Sequence, residues 1–301
     1  MLDADLLFSL KPRSESDDNK FFKDRISEAY SATYGKWFEG FFWNYGLYDE
    51  KLENEIKGLL PGWPYKDYYS ELLYYYAINN IVILIDHTQQ LRLLEVGCSW
   101  GGGLNFISRI FKFYVMHGID ISDDSINTAN ALYSRPPYLK FSLGDAENMP
   151  FNDNSFDIVL NVESAHHYSD LEKFISEVER VLSSGGWFCL ADIFTAERYR
   201  RLTNILKTST KLKLVRYDNI SKQVKEAINK RINNVSSQFN QIIRGKSKIF
   251  NFDEIKAREL WNGMYGAGFL DNHKMPLQEK KKRLENKTMP DNFSYFLLQK
   301  L

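Results

Sequence analysis

The stretch LLEVGCSWGGG at residues 93–103 decides how the rest of the chain is interpreted. Its apolar residues predict a buried strand that ends at Gly97, after which the chain turns through small residues and a helix begins near Leu104. Such a turn presents backbone N–H groups and lets a ligand approach the main chain closely. Because glycine patterns are common, the loop alone is weak evidence for a bound nucleotide.

Acidic residues follow at the ends of the next predicted strands. Asp120 in HGID lies 23 residues after Gly97, where the second strand of a nucleotide-binding unit ends and its carboxylate binds two ribose hydroxyls. Asp145 in GDAENMPF ends a third strand, beside the position of an adenine ring. Each acid has a structural alternative, because Asp at a strand end often caps a helix and Glu95 serves equally as a loop-orienting carboxylate. Their order and register together favour ligand contact.

From Leu91 to about residue 195, short apolar runs that end in Gly or Asp alternate with amphipathic stretches. The runs include LRLLEVG, YVMHGID, YLKFSLGDA, FDIVLNVE and WFCLADIF, and the clearest helix is DLEKFISEVERVL. This alternation predicts an α/β fold with a parallel sheet that is flanked by helices.

The remaining segments are predicted to extend this core. Aromatic residues recur at helical spacing between Phe22 and Tyr34 and cluster between Trp37 and Tyr48, which indicates an N-terminal arm and an aromatic helical lid. A basic, polar segment after the core reads as a helical insertion, either solvated or closing over the site. The predicted divisions are 1–90 for the arm and lid, 91–195 for the core, 196–250 for the insertion or cap, and 251–301 for C-terminal strands that complete the sheet.

Composition excludes several classes of protein. The chain of 301 residues carries 39 Lys and Arg against 39 Asp and Glu, so nucleic acid is not the expected partner. Two cysteines cannot build a disulfide framework or a four-ligand zinc site, and the five histidines show no metal-ligand spacing. An acidic start and the lack of a long apolar run argue against a signal peptide and a membrane span, so we expect a cytoplasmic protein. Aromatic residues make up 15% of the chain, enough to line an apolar pocket.

Taken together, EVGCSWGGG, GID, GDAENMPF, FDIVLNVESAHHY and EVERVLSSGGWFCLAD resemble the successive motifs of the class I S-adenosylmethionine-dependent methyltransferases. The resemblance covers about residues 91–195. It implies a Rossmann-like fold with a mostly parallel seven-stranded sheet, and S-adenosylmethionine as cofactor with S-adenosylhomocysteine as product. Within this superfamily the sequence looks closest to the phthiotriol and phenolphthiocerol dimycocerosate O-methyltransferases and related natural-product O-methyltransferases.

The resemblance also implies which residues bind the cofactor, with Ser99 standing where the motif usually has its second glycine. The implied contacts are Gly97, Ser99 and Gly101 at the methionine part, Asp120 at the ribose, Asp145 and Ala146 at the adenine, and Asn161 near the methionine or the methyl group, with Glu95 and Ile121 as further cofactor-binding residues.

Two adjacent histidines, His166 and His167, follow the predicted fourth strand, at the edge where open α/β sheets bind ligands. Methyl transfer to oxygen needs a nucleophile in line with the methyl carbon and a base of near-neutral pKa to take its proton. The resemblance to dimycocerosate-type enzymes favours His166 as this base, whereas sugar O-methyltransferases match both histidines. The sugar enzymes also suggest Asp192, in CLAD, as the acid that orients the imidazole.

The sequence leaves several functions open. The favoured hypothesis is an O-methyltransferase for an apolar small molecule such as a lipid, polyketide or glycoside, with the aromatic segment closing over it. C-methylation of the sterol or tocopherol kind, and a cyclase or pericyclase that keeps the cofactor without transferring its methyl, are the alternatives. An NAD-dependent dehydrogenase fits less well, because the loop is not G-x-G-x-x-G. A non-catalytic binding module has no use for the histidine pair, and a homodimer is possible.

Overall fold

The computed structural model describes residues 44–62, 68–85, 90–230 and 290–301. Within these ranges the chain forms one seven-stranded sheet in the order β3-β2-β1-β4-β5-β7-β6. Strand β7 pairs antiparallel with both β5 and β6, and the other pairings are parallel. The mostly parallel α/β sheet predicted from the sequence is therefore confirmed. The strands are β1 (Arg92–Val96), β2 (Val115–Asp120), β3 (Leu139–Leu143), β4 (Phe156–Val162), β5 (Leu182–Thr195), β6 (Leu212–Asn219) and β7 (Pro290–Lys300).

Helices cover both faces of this sheet, and several begin where a polar side chain accepts a backbone N–H of the first turn. Asp49, Ser122, Asp170 and Thr195 are such caps. The helices are α1 (Glu50–Leu59), α2 (Tyr69–Val82), α3 (Gly102–Ile110), α4 (Asp123–Tyr133), α5 (Leu171–Val181), α6 (Ala196–Thr208) and α7 (221–230).

Two hydrophobic clusters fill the space between the sheet and these helices. Because side chains alternate across a strand, Leu93 packs into one cluster and Leu94 into the other. The first cluster contains residues of α2, α3, α4 and α7, and the second contains residues of α5 and α6. Strands β4 and β5 lie at the centre and are buried over most of their length, as expected for strands covered on both faces.

One segment differs from the sequence interpretation. Residues 196–208 and 221–230 are helical as expected of the insertion, but Leu212–Asn219 forms strand β6 at the edge of the sheet. Five consecutive residues of this eight-residue strand are exposed, as expected at the edge of a sheet. A run of exposed, charged residues is also typical of a solvated helix, which is why the sequence indicated one. The final strand expected from Phe293 is confirmed as part of β7.

Other expectations concern parts of the chain that are not described. The predicted helix through Phe22 and Tyr34 and most of the aromatic cluster from Trp37 lie outside the described residues, as do 231–289. Among the residues that are described, no helix is long and apolar enough to span a membrane.

Candidate active site

The glycine loop between β1 and α3 depends on residues without side chains. Gly97 has a φ of +76°, and a Cβ atom there would lie 1.9 Å from Ser164 Oγ. Gly101 has the same φ, and its Cβ would lie 2.6 Å from the ring of Phe141. Both positions therefore require glycine for backbone conformation and for space. The loop predicted from LLEVGCSWGGG is formed with this close packing.

Asp120 at the end of β2 holds the loop in place. Its Oδ2 accepts the N–H of Ser99 at 2.9 Å, and its Oδ1 accepts the N–H of Ser122 at 3.0 Å. Ser99 has a φ of 46°, a left-handed conformation that is uncommon for residues other than glycine. Burial raises the pKa of Asp120, while the backbone groups of Ser122, Ser99 and the half-buried Ile121 lower it. The carboxylate thus joins the loop to the end of β2.

Glu95, two residues before the loop glycine, is a fully buried acid. Its Oε1 accepts the hydroxyl of Tyr74 from helix α2 at 2.7 Å, and its Oε2 has no hydrogen-bond partner among the described residues. The pKa of Glu95 is raised to about 8, because burial, with a smaller contribution from the charge of Asp120, outweighs the lowering effect of hydrogen bonds from Tyr74 and the backbone of Leu104. A cationic hydrogen-bond donor brought to the unused oxygen by a ligand would favour the ionised form of this buried acid.

The segment after β3 forms the tight turn expected of a ligand edge. Asp145 Oδ1 accepts the N–H of Glu147 at 2.9 Å, and Ala146 between them is buried. Sequence reasoning missed Glu147, which accepts the N–H and hydroxyl of Ser169 at 2.8 and 2.7 Å. Glu147 therefore ties the turn after β3 to the segment that follows the histidines. Its position two residues after Asp145 was the only available signal.

Asn161 near the end of β4 uses its amide inside the protein. Its Nδ2 donates to Val96 O at 2.9 Å and to the hydroxyl of Tyr168 at 2.8 Å, and its Oδ1 accepts the N–H of Ala165 at 3.2 Å. These bonds join β1, β4 and the segment of residues 165–168, which carries the two histidines and is called the histidine turn. They give Asn161 a structural task, and its contact with the methionine part of a cofactor stays a prediction.

The two histidines lie on a short 3-10 helix, Ala165–His167, directly after β4. His166 Nδ1 lies 2.7 Å from Asp192 Oδ1, and the backbone N–H of His166 donates to Asp192 Oδ2 at 3.0 Å. Asp192 is fully buried on β5. The structure thus brings together the base and the orienting acid that the sequence suggested from positions 26 residues apart.

His167 has a different environment from His166, although their ring centroids are 3.9 Å apart. Burial lowers the pKa of His167 well below its usual range, and the neighbouring His166 and Arg198 lower it further. His167 is therefore neutral at physiological pH. The ring of His166 contacts the buried carboxylate of Asp192.

Two further contacts hold the histidine turn, and sequence reasoning gave the partner of neither, although it favoured a loop-ordering role for Glu163. Arg198 of α6 donates from Nη2 to the carbonyl oxygens of Ala165 and Tyr168 at 3.0 and 2.7 Å. Glu163, which has a φ of 49°, accepts the backbone N–H of Tyr45 with both carboxylate oxygens at 2.8 and 2.9 Å. Neither partner could be inferred from spacing, because each contact joins distant parts of the chain.

Metal-ligand geometry is not found in the described part of the chain, where no group of three His, Cys, Asp or Glu side chains could hold an ion. His117 lies outside the site, between Ser142 and the ring of Phe151. Burial lowers its pKa to about 4, so it is a neutral, half-buried residue of β2.

Part of the chain is similar in sequence to known methyltransferases. Residues 94–190 match the family described as "Methyltransferase domain". A fatty-acid O-methyltransferase of Mycolicibacterium smegmatis is 44% identical over 101 residues, which are 34% of this chain and 36% of that protein. A phthiotriol/phenolphthiotriol dimycocerosates methyltransferase of Mycobacterium tuberculosis is 43% identical over 102 residues, 34% of this chain and 37% of that protein. The chain thus matches little more than a third of the length of these curated relatives.

Solved structures show the same fold over most of the chain. The geranyl diphosphate C-methyltransferase of Streptomyces coelicolor A3(2), solved with Mg²⁺, geranyl diphosphate and S-adenosyl-L-homocysteine, aligns with a TM-score of 0.56. The alignment covers 93% of this chain and 98% of that chain at 14% identity, which is a likeness of fold alone. The resemblance stated from the sequence is confirmed to this extent: residues 94–190 match a methyltransferase domain, and the chain shares the Rossmann-like fold of a solved methyltransferase.

Proposed function

We propose that the chain is an S-adenosylmethionine-dependent O-methyltransferase that methylates a hydroxyl group of an apolar small molecule, with His166 as general base. The observation that carries the proposal is the 2.7 Å contact between His166 Nδ1 and the buried Asp192. His166 follows β4, which pairs directly with β1, the strand that precedes the glycine loop. The names of the two relatives support an apolar, lipid-like acceptor.

The glycine-loop end of the sheet fits this cofactor. Glu95 Oε2 is buried and lacks a hydrogen-bond partner among the described residues, so it can accept from a cationic group of the cofactor, which would favour the ionised form of Glu95. The Asp120 carboxylate lies at the end of the neighbouring strand β2. Gly97, Ser99 and Gly101 would face the methionine part, Asp120 and Ile121 the ribose, and Asp145 and Ala146 the adenine. When bound, S-adenosylmethionine supplies a methyl group on a sulfonium, which is already activated for transfer.

What remains for the protein is to align the acceptor and to remove its proton. Asp192 accepts from the ring and the backbone of His166, which keeps the Nδ1 proton in place and leaves Nε2 as the proton acceptor. Asp192 then stabilises the imidazolium that forms. His167, held neutral, does not compete for this proton.

The presence of this pair favours a hydroxyl over a carboxyl acceptor. A carboxylate has already lost its proton at neutral pH, so its methylation needs no general base. A hydroxyl needs one, and a buried His–Asp contact is the arrangement that supplies it. Acceptor class and dependence on His166 are therefore linked, and a comparison of two acceptors tests the link.

The experiment supplies methyl-labelled S-adenosylmethionine with two acceptor sets of matched chain length, fatty acids and hydroxylated lipids or phenols. We expect labelled ether and S-adenosylhomocysteine in equal amounts from a hydroxyl acceptor, and a loss of about 10²- to 10⁴-fold in His166→Ala. Transfer to fatty acids that is unaffected in His166→Ala would refute the hydroxyl assignment. Label on carbon would indicate C-methylation, and acceptor conversion without S-adenosylhomocysteine would indicate a cyclase; either outcome contradicts the proposal.

The proposal includes the aromatic N-terminal segment as a lid. Two backbone anchors support it, because Tyr45 N–H is held by Glu163 at the end of β4 and Tyr48 N–H donates to Gln223 O of α7 at 3.1 Å. These anchors bring the chain from residue 44 onward to the histidine end of the sheet. Deletion of residues 1–43 is expected to preserve binding of S-adenosylhomocysteine and to raise the KM for the acceptor. A truncated protein with unchanged acceptor kinetics would show that the segment is not a lid.

A further inference from the structure

Arg198 lies at the third position of helix α6, behind the histidine turn. Its backbone N–H donates to the cap residue Thr195, so the start of α6 is fixed at the end of β5. Its side chain reaches the turn that follows β4 and donates from Nη2 to Ala165 O and Tyr168 O. These two carbonyl groups stand immediately before and after the pair His166 and His167.

We infer that Arg198 is a positioning residue for His166, because its guanidinium joins the two ends of the turn that presents the imidazole to Asp192. The inference rests on the proposed role of His166 as base. It assigns to Arg198 no contact with the acceptor.

The geometry of the turn explains why such a clamp is needed. The 3-10 helix has only three residues, and helices this short are weakly held by their own hydrogen bonds. Asp192 holds the turn at His166 from the side of β5, and Arg198 holds it from the side of α6. A shift of about 1 Å in a catalytic group is enough to lower a rate by about 100-fold. We therefore expect the loss of either contact to lower the rate of methyl transfer more than it weakens binding of the cofactor.

The charge of Arg198 serves the same end. Among the described residues Arg198 makes no direct ion pair, and its Nε lacks a hydrogen-bond partner. Burial is the main cause of the lowered pKa of His167, and the positive charge of Arg198 next to the turn lowers that pKa further.

The alternative is that Arg198 merely stabilises the fold, and the two readings differ in what can be measured. Arg198→Ala is compared with Arg198→Lys and with Arg200→Ala, which removes an exposed guanidinium from the same helix. The readouts are kcat and KM for the acceptor, calorimetric binding of S-adenosylhomocysteine, and the downfield proton NMR signal of the His166 Nδ1–H, identified by its loss in His166→Ala.

We expect Arg198→Ala to lower kcat by about 10- to 100-fold, with the Kd for S-adenosylhomocysteine changed by less than about twofold. The downfield signal should broaden or disappear, methylguanidine should restore part of the rate, and Arg200→Ala should behave as the wild type. Arg198→Lys keeps the charge and one donor group, so this variant should fold, and its kcat should lie between those of Arg198→Ala and the wild type.

The inference is overturned if kcat and the NMR signal are unchanged in Arg198→Ala. It is also overturned if kcat and S-adenosylhomocysteine binding fall together in both variants, because that result indicates a general loss of structure. If the wild-type protein methylates no acceptor, the proposed function fails. The NMR comparison of wild type and Arg198→Lys still tests the positioning, with an unchanged signal refuting it.

Discussion

The glycine-loop end and the histidine end of the sheet are built in different ways. The loop after β1 is shaped by missing side chains and by backbone N–H groups, as at Gly97 and Ser99. The turn after β4 is held by side chains from three other elements, with Asp192 on β5, Arg198 on α6 and Glu147 after β3. One end can be recognised from a contiguous motif, whereas the other exists only once the chain has folded.

The difference suggests a division of labour. The backbone of the glycine loop forms a site for a cofactor, and the cross-linked turn positions the base. If this division holds, substitutions at the two ends should separate binding from transfer. The largest effect of such substitutions is expected on the rate of transfer, and smaller effects are expected on stability.

The largest effect is expected for Asp192→Asn. Asp192 accepts from His166 Nδ1, His166 N and Ile193 N, and an amide cannot accept at both of its ends. The imidazole should lose its orientation and its protonation pattern, with a fall in kcat of about 10²- to 10⁴-fold and little change in S-adenosylhomocysteine binding. Steady-state kinetics and calorimetry measure both. Asp153→Asn, a largely exposed position, is the control; equal effects of the two changes would refute the orienting role.

Gly97→Ala should destabilise the protein by about 3 to 4 kcal/mol, because it adds a Cβ atom 1.9 Å from Ser164 Oγ to a residue with positive φ. Gly185→Ala is a matched control, since Gly185 has a φ of +77° and open space around the position of a Cβ. The control isolates the backbone penalty of about 1 kcal/mol. Urea unfolding of both variants gives the difference, and equal losses would show that the contact with Ser164 is unimportant.

Glu95 makes the stability of the ligand-free protein depend on pH. Its pKa is about 8 in the folded protein against an ordinary value of 4.5, so its contribution is fully present below about pH 4.5 and is lost as pH rises towards 8. Between pH 5 and pH 8 the wild type should lose about 3 kcal/mol of unfolding free energy relative to Glu95→Gln. Urea unfolding at the two pH values measures this. If both proteins lose the same unfolding free energy between the two pH values, the raised pKa of the buried Glu95 is contradicted.

The smallest effect is expected for Tyr74→Phe, which removes the 2.7 Å hydrogen bond from helix α2 to Glu95. The loss should be about 1 to 2 kcal/mol, because a buried acceptor loses its donor. Tyr75→Phe on the same helix breaks only a longer, 3.4 Å contact with Glu55 and serves as the control. Thermal unfolding compares them; a Tyr75→Phe loss as large as that of Tyr74→Phe would contradict a special contact between α2 and the loop.

The sequence predicted the glycine-loop end well because its determinants are local. Alternating strands and helices from Leu91, the glycines of the loop and Asp120 all follow from short-range patterns, and the structure has them in place. The resemblance suggested His166 as a base and Asp192 as the acid that orients it, and their 2.7 Å contact depends on the pairing of β4 with β5.

The errors and omissions have physical causes. Strand β6 was interpreted as part of a helical insertion because an edge strand with consecutive exposed residues lacks a clear period. Arg198 lies in a run of basic residues that resembles a solvated helix face, and only its reach to Ala165 O and Tyr168 O distinguishes it from its neighbours. The Glu163 contact joins positions 118 residues apart through a backbone N–H, which leaves no mark in the side chain of Tyr45.

The most direct test of the account compares Asp120→Ala with His166→Ala in two assays on the same preparations. Calorimetry with S-adenosylhomocysteine measures binding, and labelled methyl transfer to a hydroxyl acceptor measures chemistry. The account predicts that Asp120→Ala loses binding, and with it transfer, whereas His166→Ala binds like the wild type and loses transfer. Normal binding by Asp120→Ala, or full transfer by His166→Ala, would contradict it.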